Sequence, residues 1–490
     1  MKTKKFTILH SNDMHGDFLA ESREGVDKSK LIGGLSVLSG YINQVRKEEK
    51  NVLYVISGDM LQGSMIDSEY KGISTMEIMN YLSPDVVALG NHEFDYGLPH
   101  LLFLEKMANF PIVNANLYIK MYNKRLMNPY KIITKDGFEI LFTGIITEKV
   151  MDTIKGDKLV GSFVTLEEAS AEVGKICNAY KNDDIDLTIL LTHIGYESDV
   201  ELAKMLDPKW GVDMIIGGHS HTILDRATKE NNILIAQAGV GTDQIGRFDI
   251  TVDDDTNSVV DYQWQLVPIV EGIAAPDKDL MRFIDSFKSE VDRKYSTLVC
   301  KFQSELTHPS RIVETELGDL FADAFAKISN SDVALVGSGS IRSKSMGPLV
   351  TLKDFLACFP YDDSLTKFWI SGRILKTIFA WIMRVENRQD EGECYQVNDK
   401  VKAKYNDSQK RLILLSIGEK EIDDELEYSL CLQGYHVSNC HSYLGVTLEQ
   451  LTEARQATTI SSSCQQAMEE YLRNHQNLVR KIEGRLEYVS

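Results

Sequence analysis

Three things are scarce in this 490-residue chain. The first is positive charge: 53 lysines and arginines face 72 aspartates and glutamates, for a formal net charge of −19. Such a chain grips a nucleic-acid backbone poorly and is repelled by an anionic membrane surface. Neither a nucleic-acid polymer nor a membrane is expected as a partner. An anionic small substrate must then be held by a local device, either metal ions or a few arginines. The second is patterned cysteine. The seven cysteines are odd in number, scattered from Cys177 to Cys464 and free of any CxxC pair. They read as reduced thiols rather than a disulfide framework. The third is a long apolar run. The basic start "MKTKKFTILHSND" has only Phe6–Leu9 as its apolar stretch, far short of a signal-peptide core, and no run approaches a membrane span. A cytoplasmic location is the expectation. No repeat or low-complexity tract stands out.

What is present is an ordinary globular composition, 43% hydrophobic and 26% charged. The length suits about two or three domains. Short β-branched runs ("FTIL", "NVLYVIS", "DVVAL", "EILFTGI", "DLTILLT", "VDMIIGG", "ILIAQAG") alternate with amphipathic stretches such as "GGLSVLSGYINQVRKE". Strands alternating with helices predict an α/β domain. A hairpin with a polar turn, "RFDITVDDDTNSVVDYQWQLVPI", closes it near Pro268. Leu280, Phe283, Ile284, Phe287 and Val291 then keep the spacing of one helical face. The expected division is a first domain at 1–272, a connecting helix and linker at 273–301, and an α+β domain at 302–490. Residues 386–409 are polar and read as a loop.

The chemistry gathers at strand ends. "FTILHSNDMHG" ends in Asp13 and His15, "VLYVISGDM" in Asp59, and "VVALGNHEFD" in Asn91, His92 and Asp95. "LTILLTHIG" ends in His193, and "MIIGGHSHT" in His219 and His221. Loops at the carboxyl ends of strands in an α/β sheet converge on one crevice. Any one of these motifs alone is usually a turn with incidental polar residues. All of them together at the ends of buried strands point to one metal site. Imidazole and carboxylate donors suit Zn, Mn or Fe rather than Ca. Two divalent ions a few ångströms apart need a shared anionic ligand, and such a pair lowers the pKa of a bridging water.

In this order, DxH, GD, GNHE, H and GHxH resemble the calcineurin-like metallophosphoesterases. The longer forms "TILHSNDMHG", "GNHEFDYG" and "GGHSHT" resemble the 5′-nucleotidase family within them, which also holds 2′,3′-cyclic phosphodiesterases and nucleotide-sugar hydrolases. The resemblance implies a four-layer α/β/β/α metallophosphoesterase domain followed by a substrate-binding domain. It implies two divalent ions. One would take Asp13, His15, Asp59 and His221; the other Asp59, Asn91, His193 and His219, with Asp59 bridging. The family often has Gln where this chain has His221. His92 resembles the catalytic histidine, paired with Asp95, and neither would bind metal. The implied reaction is in-line attack of a metal-bridging hydroxide that releases phosphate from a nucleotide.

The same resemblance assigns substrate contacts in the second domain. Arg311 in "SRIVETELGDLFADAF" and Arg342 in "VGSGSIRS" align with substrate-binding arginines. Tyr361 in "FPYDDSL" and Tyr435 in "LCLQGYHVSNCHSYLG" align with aromatics that stack on a base, and any base offers a π-face. Two departures concern specificity. Gly337, Ser338 and Ser340 replace residues of the family's NGGGIR loop. His441 replaces an Asp that holds ribose hydroxyls, and a neutral imidazole accepts one proton where a carboxylate accepts two. The partner implied is a small phosphorylated molecule. Alternatives within the enzyme class are a cyclic phosphodiester, a dinucleotide or nucleotide-sugar pyrophosphate, and a non-nucleotide ester. A non-enzymatic binding protein is disfavoured by the complete ligand set.

Overall fold

The computed structural model describes residues 3–21, 31–119, 122, 124–147, 165–180, 183–388 and 394–490. They form two compact units, Met1–Val291 and Asp292–Ser490. The first unit is built on two six-stranded sheets. In one, Thr3–Ser11, Val52–Ser57, Val86–Ala88 and Ile112–Val113 run parallel, and the hairpin Gln244–Asp253/Ser258–Pro268 adds antiparallel strands beside Thr3–Ser11. In the other, Phe138–Ile146, Ile185–His193, Met214–Ile216 and Ile233–Ala236 run parallel between two antiparallel edges.

Successive strand residues point to opposite faces. Ile140 and Phe142 therefore join Phe6, Ile8, Leu53, Val55, Ile189 and Leu191 in the core between the sheets. Leu141, Leu190 and Ile215 point the other way, onto Val173, Ile176 and Leu202 of helices Leu166–Ala179 and Tyr196–Met205. Helix Leu35–Glu48 lies against Val52–Ser57 on the outer face of the first sheet. The result is four layers, α/β/β/α. With both faces of each sheet covered, the strands read as continuous apolar runs instead of alternating ones.

The periodic face beyond Pro276 lies on helix Lys278–Tyr295, which buries Leu280, Ile284 and Val291. Phe283 and Phe287 are half-buried, with Phe283 against Tyr81 and Phe287 against Tyr70. The second unit centres on a five-stranded mixed sheet in the order Tyr395–Val397, Val333–Gly337, Glu427–Gln433, Leu365–Ser371, Thr458–Ser461. Helix Glu316–Ser329 starts where the Thr315 hydroxyl accepts the Gly318 N–H and stops at Asn330 in the left-handed region. It packs Leu317, Leu320, Phe321 and Phe325 with Phe355, Phe359 and Met468. Helix Gly372–Ile382 fills a second core with Tyr395, Val397, Val401 and Tyr405. This unit is α+β.

One expectation is corrected here. The segment read as a loop at 386–409 contains the end of helix Val385–Arg388 and the strands Tyr395–Val397 and Val401–Asn406, while 389–393 lie outside the described residues. In Val401-Lys402-Ala403-Lys404-Tyr405 the apolar residues are buried and the lysines turn outward. The high polarity of this half-buried strand comes from its outer face alone. Among the described residues no helix is long and apolar enough to cross a membrane.

Candidate active site

The motif loops of the first unit meet at the carboxyl ends of its parallel strands. Two of them run side by side: Asp13, His15 and Gly16 donate their N–H groups to the carbonyls of Gly58, Asp59 and Met60 at 3.1, 3.0 and 2.9 Å. Asp13, His15, Asp59, His219 and His221 have φ of 49°, 48°, 53°, 79° and 53°. The left-handed region costs a non-glycine residue roughly 1–2 kcal/mol. Five such residues side by side are backbone strain gathered at a functional site. Neighbouring glycines make room for them. A Cβ on Gly90 would stand 2.1 Å from Asp59 Oδ1, and one on Gly58, itself at φ +75°, 2.6 Å from His193 Nδ1.

The donor atoms form two overlapping groups. Asp13, His15 and His221 make one, with His15 Nε2 3.2 Å from His221 Nε2 and His221 Nε2 3.4 Å from Asp13 Oδ1. Asp59, His193 and His219 make the other, with His193 Nε2 3.1 Å from Asp59 Oδ2. Asn91 Oδ1 joins this second group, 3.2 Å from His193 Nε2 and 3.0 Å from His219 Nδ1. Asp59 Oδ2 is also 4.0 Å from His15 Nε2, so it stands between the groups. Asp13 Oδ1 reaches across as well, to 3.8 Å from His193 Nε2.

These donors fit divalent metal. His193 Nδ1 donates to the Ser57 carbonyl at 2.9 Å, and His15 Nδ1 to the Gln62 carbonyl at 3.0 Å. Each ring thereby turns an Nε2 lone pair inward, the usual support of a metal-binding histidine. Asp13 and Asp59 are 0% and 2% exposed, and among the described residues no lysine or arginine pairs with either. Buried carboxylates without a cation demand one. His193 reports the same demand. Burial opposes its charge, yet Asp59 and Asp13 push its pKa up to about 10.

His92 and Asp95 form a separate pair. His92 Nδ1 donates to Asp95 Oδ2 at 2.7 Å. That bond raises the His92 pKa despite partial burial, with the Asp59 charge adding to it. A ring nitrogen of His92 lies within 4.8 Å of donor atoms of His15 and Asp59, so distance alone would admit it as a ligand. Its Nδ1 is engaged by Asp95, which fixes the ring beside the donor groups. The geometry suits a proton donor or charge stabiliser.

In the second unit the segments that carry Arg342, Tyr361 and Tyr435 lie at one end of the central strands of the five-stranded sheet. Val333–Gly337 and Glu427–Gln433 are parallel, and Leu365 pairs with Gln433. The loops after Gly337, before Leu365 and after Gln433 therefore share that end of the sheet. Ser340 Oγ donates to Gln433 Oε1 at 3.2 Å, and Gly434 N–H to the Ser364 carbonyl at 2.8 Å. Arg342 and Tyr361 meet, with the guanidinium 5.9 Å from the ring centroid. Tyr361 and Tyr435 are 54% and 52% exposed, available for stacking. The Tyr435 hydroxyl bonds that of Tyr443 at 3.0 Å. His441 is exposed on helix Cys440–Leu444, and Arg311 is exposed in the turn before helix Glu316–Ser329.

Residues 6–222 match the model of the calcineurin-like phosphoesterases, and residues 296–446 that of the 5′-nucleotidase C-terminal domain. The chain carries a calcineurin-like phosphoesterase domain followed by a 5′-nucleotidase C-terminal domain. It is 28% identical over 444 residues to a 5′-nucleotidase-related protein of Glossina morsitans morsitans, covering 82% of this chain and 78% of the relative. It is 28% identical over 426 residues to a 5′-nucleotidase of Vibrio parahaemolyticus, covering 76% and 73%. Among solved structures, the 5′-nucleotidase precursor of Thermus thermophilus shares the fold with a TM-score of 0.59, 22% identity and 99% coverage of both chains.

This chain holds its metal-type loops with buried groups that sequence reading passed over. Glu93, inside the quoted "GNHEFDYG", is 2% exposed. Its carboxylate accepts N–H groups from Asp59 at 3.0 Å, Met60 at 2.7 Å and Gly90 at 2.7 Å. It staples the Asp59 loop to the Asn91 loop. Burial and the Asp59 charge push its pKa up to about 7. Asp199 and Gln237 hold the His219–His221 loop. Gln237 Nε2 donates to Asp199 Oδ2 and to the Gly218 carbonyl, and its Oε1 accepts from Ser220 Oγ and Thr222 N–H. Glu93 had a signal, a carboxylate three residues after a glycine in a metal motif. Asp199 and Gln237 had none, because their contacts are long-range.

Proposed function

We propose that the chain is a two-metal phosphohydrolase that releases phosphate from nucleotides. The observation that carries this reading is the gathering of seven donor side chains in two groups with Asp59 between them. Two divalent ions held there, Mn, Zn or Fe by donor type, would lower the pKa of a coordinated water and clamp a phosphoryl oxygen. Asp59 would be shared. His15, His193 and His219 would be held in place by the carbonyl and amide contacts described above. His92, oriented by Asp95 and with its pKa raised by that bond, would neutralise developing charge or give a proton to the leaving oxygen. Tyr361 and Tyr435 would stack on a planar group, and Arg311 and Arg342 would meet its anionic part. The relatives named as 5′-nucleotidases support a nucleotide as that substrate.

A second reading keeps the reaction and changes the organic part. Arg342 already lies over Tyr361, and an imidazole stands at His441, features that suit an anionic group better than a ribose diol. The test is Mn²⁺-dependent hydrolysis of AMP, dAMP, 2′,3′-cyclic AMP, UDP-glucose and glucose 6-phosphate, with phosphate measured for the three monoesters and the monoester products of the other two separated by chromatography. The proposal expects AMP to be turned over, with dAMP close behind because His441 reads the diol weakly. A glucose 6-phosphate rate above both nucleotides would overturn the nucleotide assignment. No turnover of any substrate, p-nitrophenyl phosphate included, would overturn the enzyme reading.

A further inference from the structure

Beneath the His15 loop sits a carboxylate that no step above uses. Asp67 is 0% exposed, on the short helix Met65–Tyr70. It has no ion pair with lysine or arginine among the described residues. Its bonds run to two hydroxyls and one peptide N–H: Thr75 Oγ1 donates to Oδ1, while Tyr96 O–H at 3.0 Å and Gln62 N–H at 2.9 Å donate to Oδ2. Each of the latter two leads into the active-site loops. Tyr96 follows Asp95 of the histidine–aspartate pair. Gln62 sits at φ 69°, and the carbonyl of the peptide group that carries its N–H, that of Leu61, lies 3.2 Å from His15 Nδ1, which also reaches the Gln62 carbonyl at 3.0 Å. The packing leaves little slack, because a Cβ on Gly16 would stand 3.2 Å from Asp67 Cβ and one on Gly63 2.4 Å from the His15 carbonyl oxygen.

We infer that Asp67 is a positioning residue for the metal site formed by Asp13, His15 and His221, acting through the Leu61–Gln62 peptide as a carboxylate–peptide–imidazole relay. The inference rests on the reading that these three residues hold a metal ion. A buried carboxylate on the Gln62 N–H polarises the Leu61–Gln62 peptide and strengthens the Leu61 carbonyl as an acceptor for His15 Nδ1, since hydrogen bonds in series reinforce one another at low dielectric. A stronger acceptor on Nδ1 fixes the His15 tautomer and makes its Nε2 a better donor to metal, as outer-shell carboxylates do when they bond a ligand histidine directly. The bond to Tyr96 ties the same carboxylate to the segment carrying His92 and Asp95. Asp67 thus couples the orientation of a metal ligand to the loop of the proton donor. Oδ2 accepts two donors and Oδ1 accepts a third. In Asp67→Asn the amide oxygen can stay on Gln62 and Tyr96 while the amide nitrogen faces Thr75, whose hydroxyl can turn to accept. This variant keeps the shape and removes the charge.

The test is calorimetric titration of chelator-treated full-length protein with Mn²⁺, comparing the parent with His15→Ala, Asp67→Asn and Tyr96→Phe. Loss of one of two binding steps in His15→Ala identifies the step that belongs to the His15 site. In Asp67→Asn that same step should weaken by about 10–100-fold, with the other step unchanged. In Tyr96→Phe, which touches no proposed ligand, it should weaken in the same direction by a smaller factor. Parent-like affinity at both steps in Asp67→Asn would overturn the inference, as would equal weakening of both. Should Asp67→Asn fail to fold, Tyr96→Phe decides: selective weakening supports the relay, and unchanged binding refutes it. If His15→Ala keeps both steps, the metal assignment itself fails, a result distinct from failure of the relay.

Discussion

Glu93→Gln is the most discriminating small change that the active site offers. The side chain keeps its size, and the buried carboxylate that staples two motif loops becomes an amide. Oε2 accepts from Asp59 and Gly90 at 3.0 and 2.7 Å, while Oε1 accepts from Met60 at 2.7 Å and from Leu61 at the long distance of 3.4 Å. An amide has only one acceptor oxygen. Its nitrogen will take the cheaper place, Oε1, and face the N–H groups of Met60 and Leu61. One close bond and one long bond are lost, and a buried donor left unpaired costs about 1–3 kcal/mol. The expected destabilisation of the first unit is about 2–4 kcal/mol. Urea unfolding followed by Trp210 and Trp264 measures it, with Trp369 and Trp381 replaced by Phe in both proteins so that only the first unit reports. Affinity for Mn²⁺ should fall at both donor groups, because Glu93 holds the Asp59 loop that they share. A variant within about 0.5 kcal/mol of its parent, with unchanged metal affinity, would refute the stapling role, since surface-like substitutions stay within that range.

His92→Ala should keep its bound metal, because Asn91 and the other donors remain, and its kcat should fall by about 10²–10⁴; loss of metal would place His92 among the ligands instead. Tyr435→Ala should raise KM for nucleotides by an amount equivalent to about 1–3 kcal/mol of stacking, and an equal loss on p-nitrophenyl phosphate would show that the ring packs rather than stacks. Asp213 gives a pH signature. Burial pushes its carboxyl up to about 7 against hydrogen bonds from the Thr188 and Val259 backbone. The folded state therefore keeps a proton that the unfolded state releases near 3.8, so this contribution is full below about pH 4 and lost as pH rises through 7. Asp213→Asn should flatten the stability profile between those limits, and an unchanged slope would contradict the assignment.

The parts of the fold visible in the sequence are those where local pattern and burial agree. Helices Leu35–Glu48, Glu316–Ser329 and Gly372–Ile382 announce themselves by one apolar face. The buried parallel strands do so by unbroken apolar runs. The candidate metal residues stand out because they end such runs in polar clusters. What stayed hidden has a different physical origin. The left-handed backbone at Asp13, His15, Asp59, His219 and His221 is imposed by the converging loops, and none of these residue types is glycine to signal it. Gln237 acts through partners up to 38 residues away, and Asp67 through Tyr96, 29 residues on. The strand Val401–Asn406 was obscured by lysines on its outer face.

The central claim is that Asp59 joins two metal groups into one phosphohydrolase centre. Its most direct test is Asp59→Asn, with metal content measured by mass spectrometry after Mn²⁺ loading and phosphate release from AMP measured on the same sample. The account predicts clear loss of bound metal across both donor groups and near-complete loss of turnover. A variant with two ions per chain and the parent rate would contradict it.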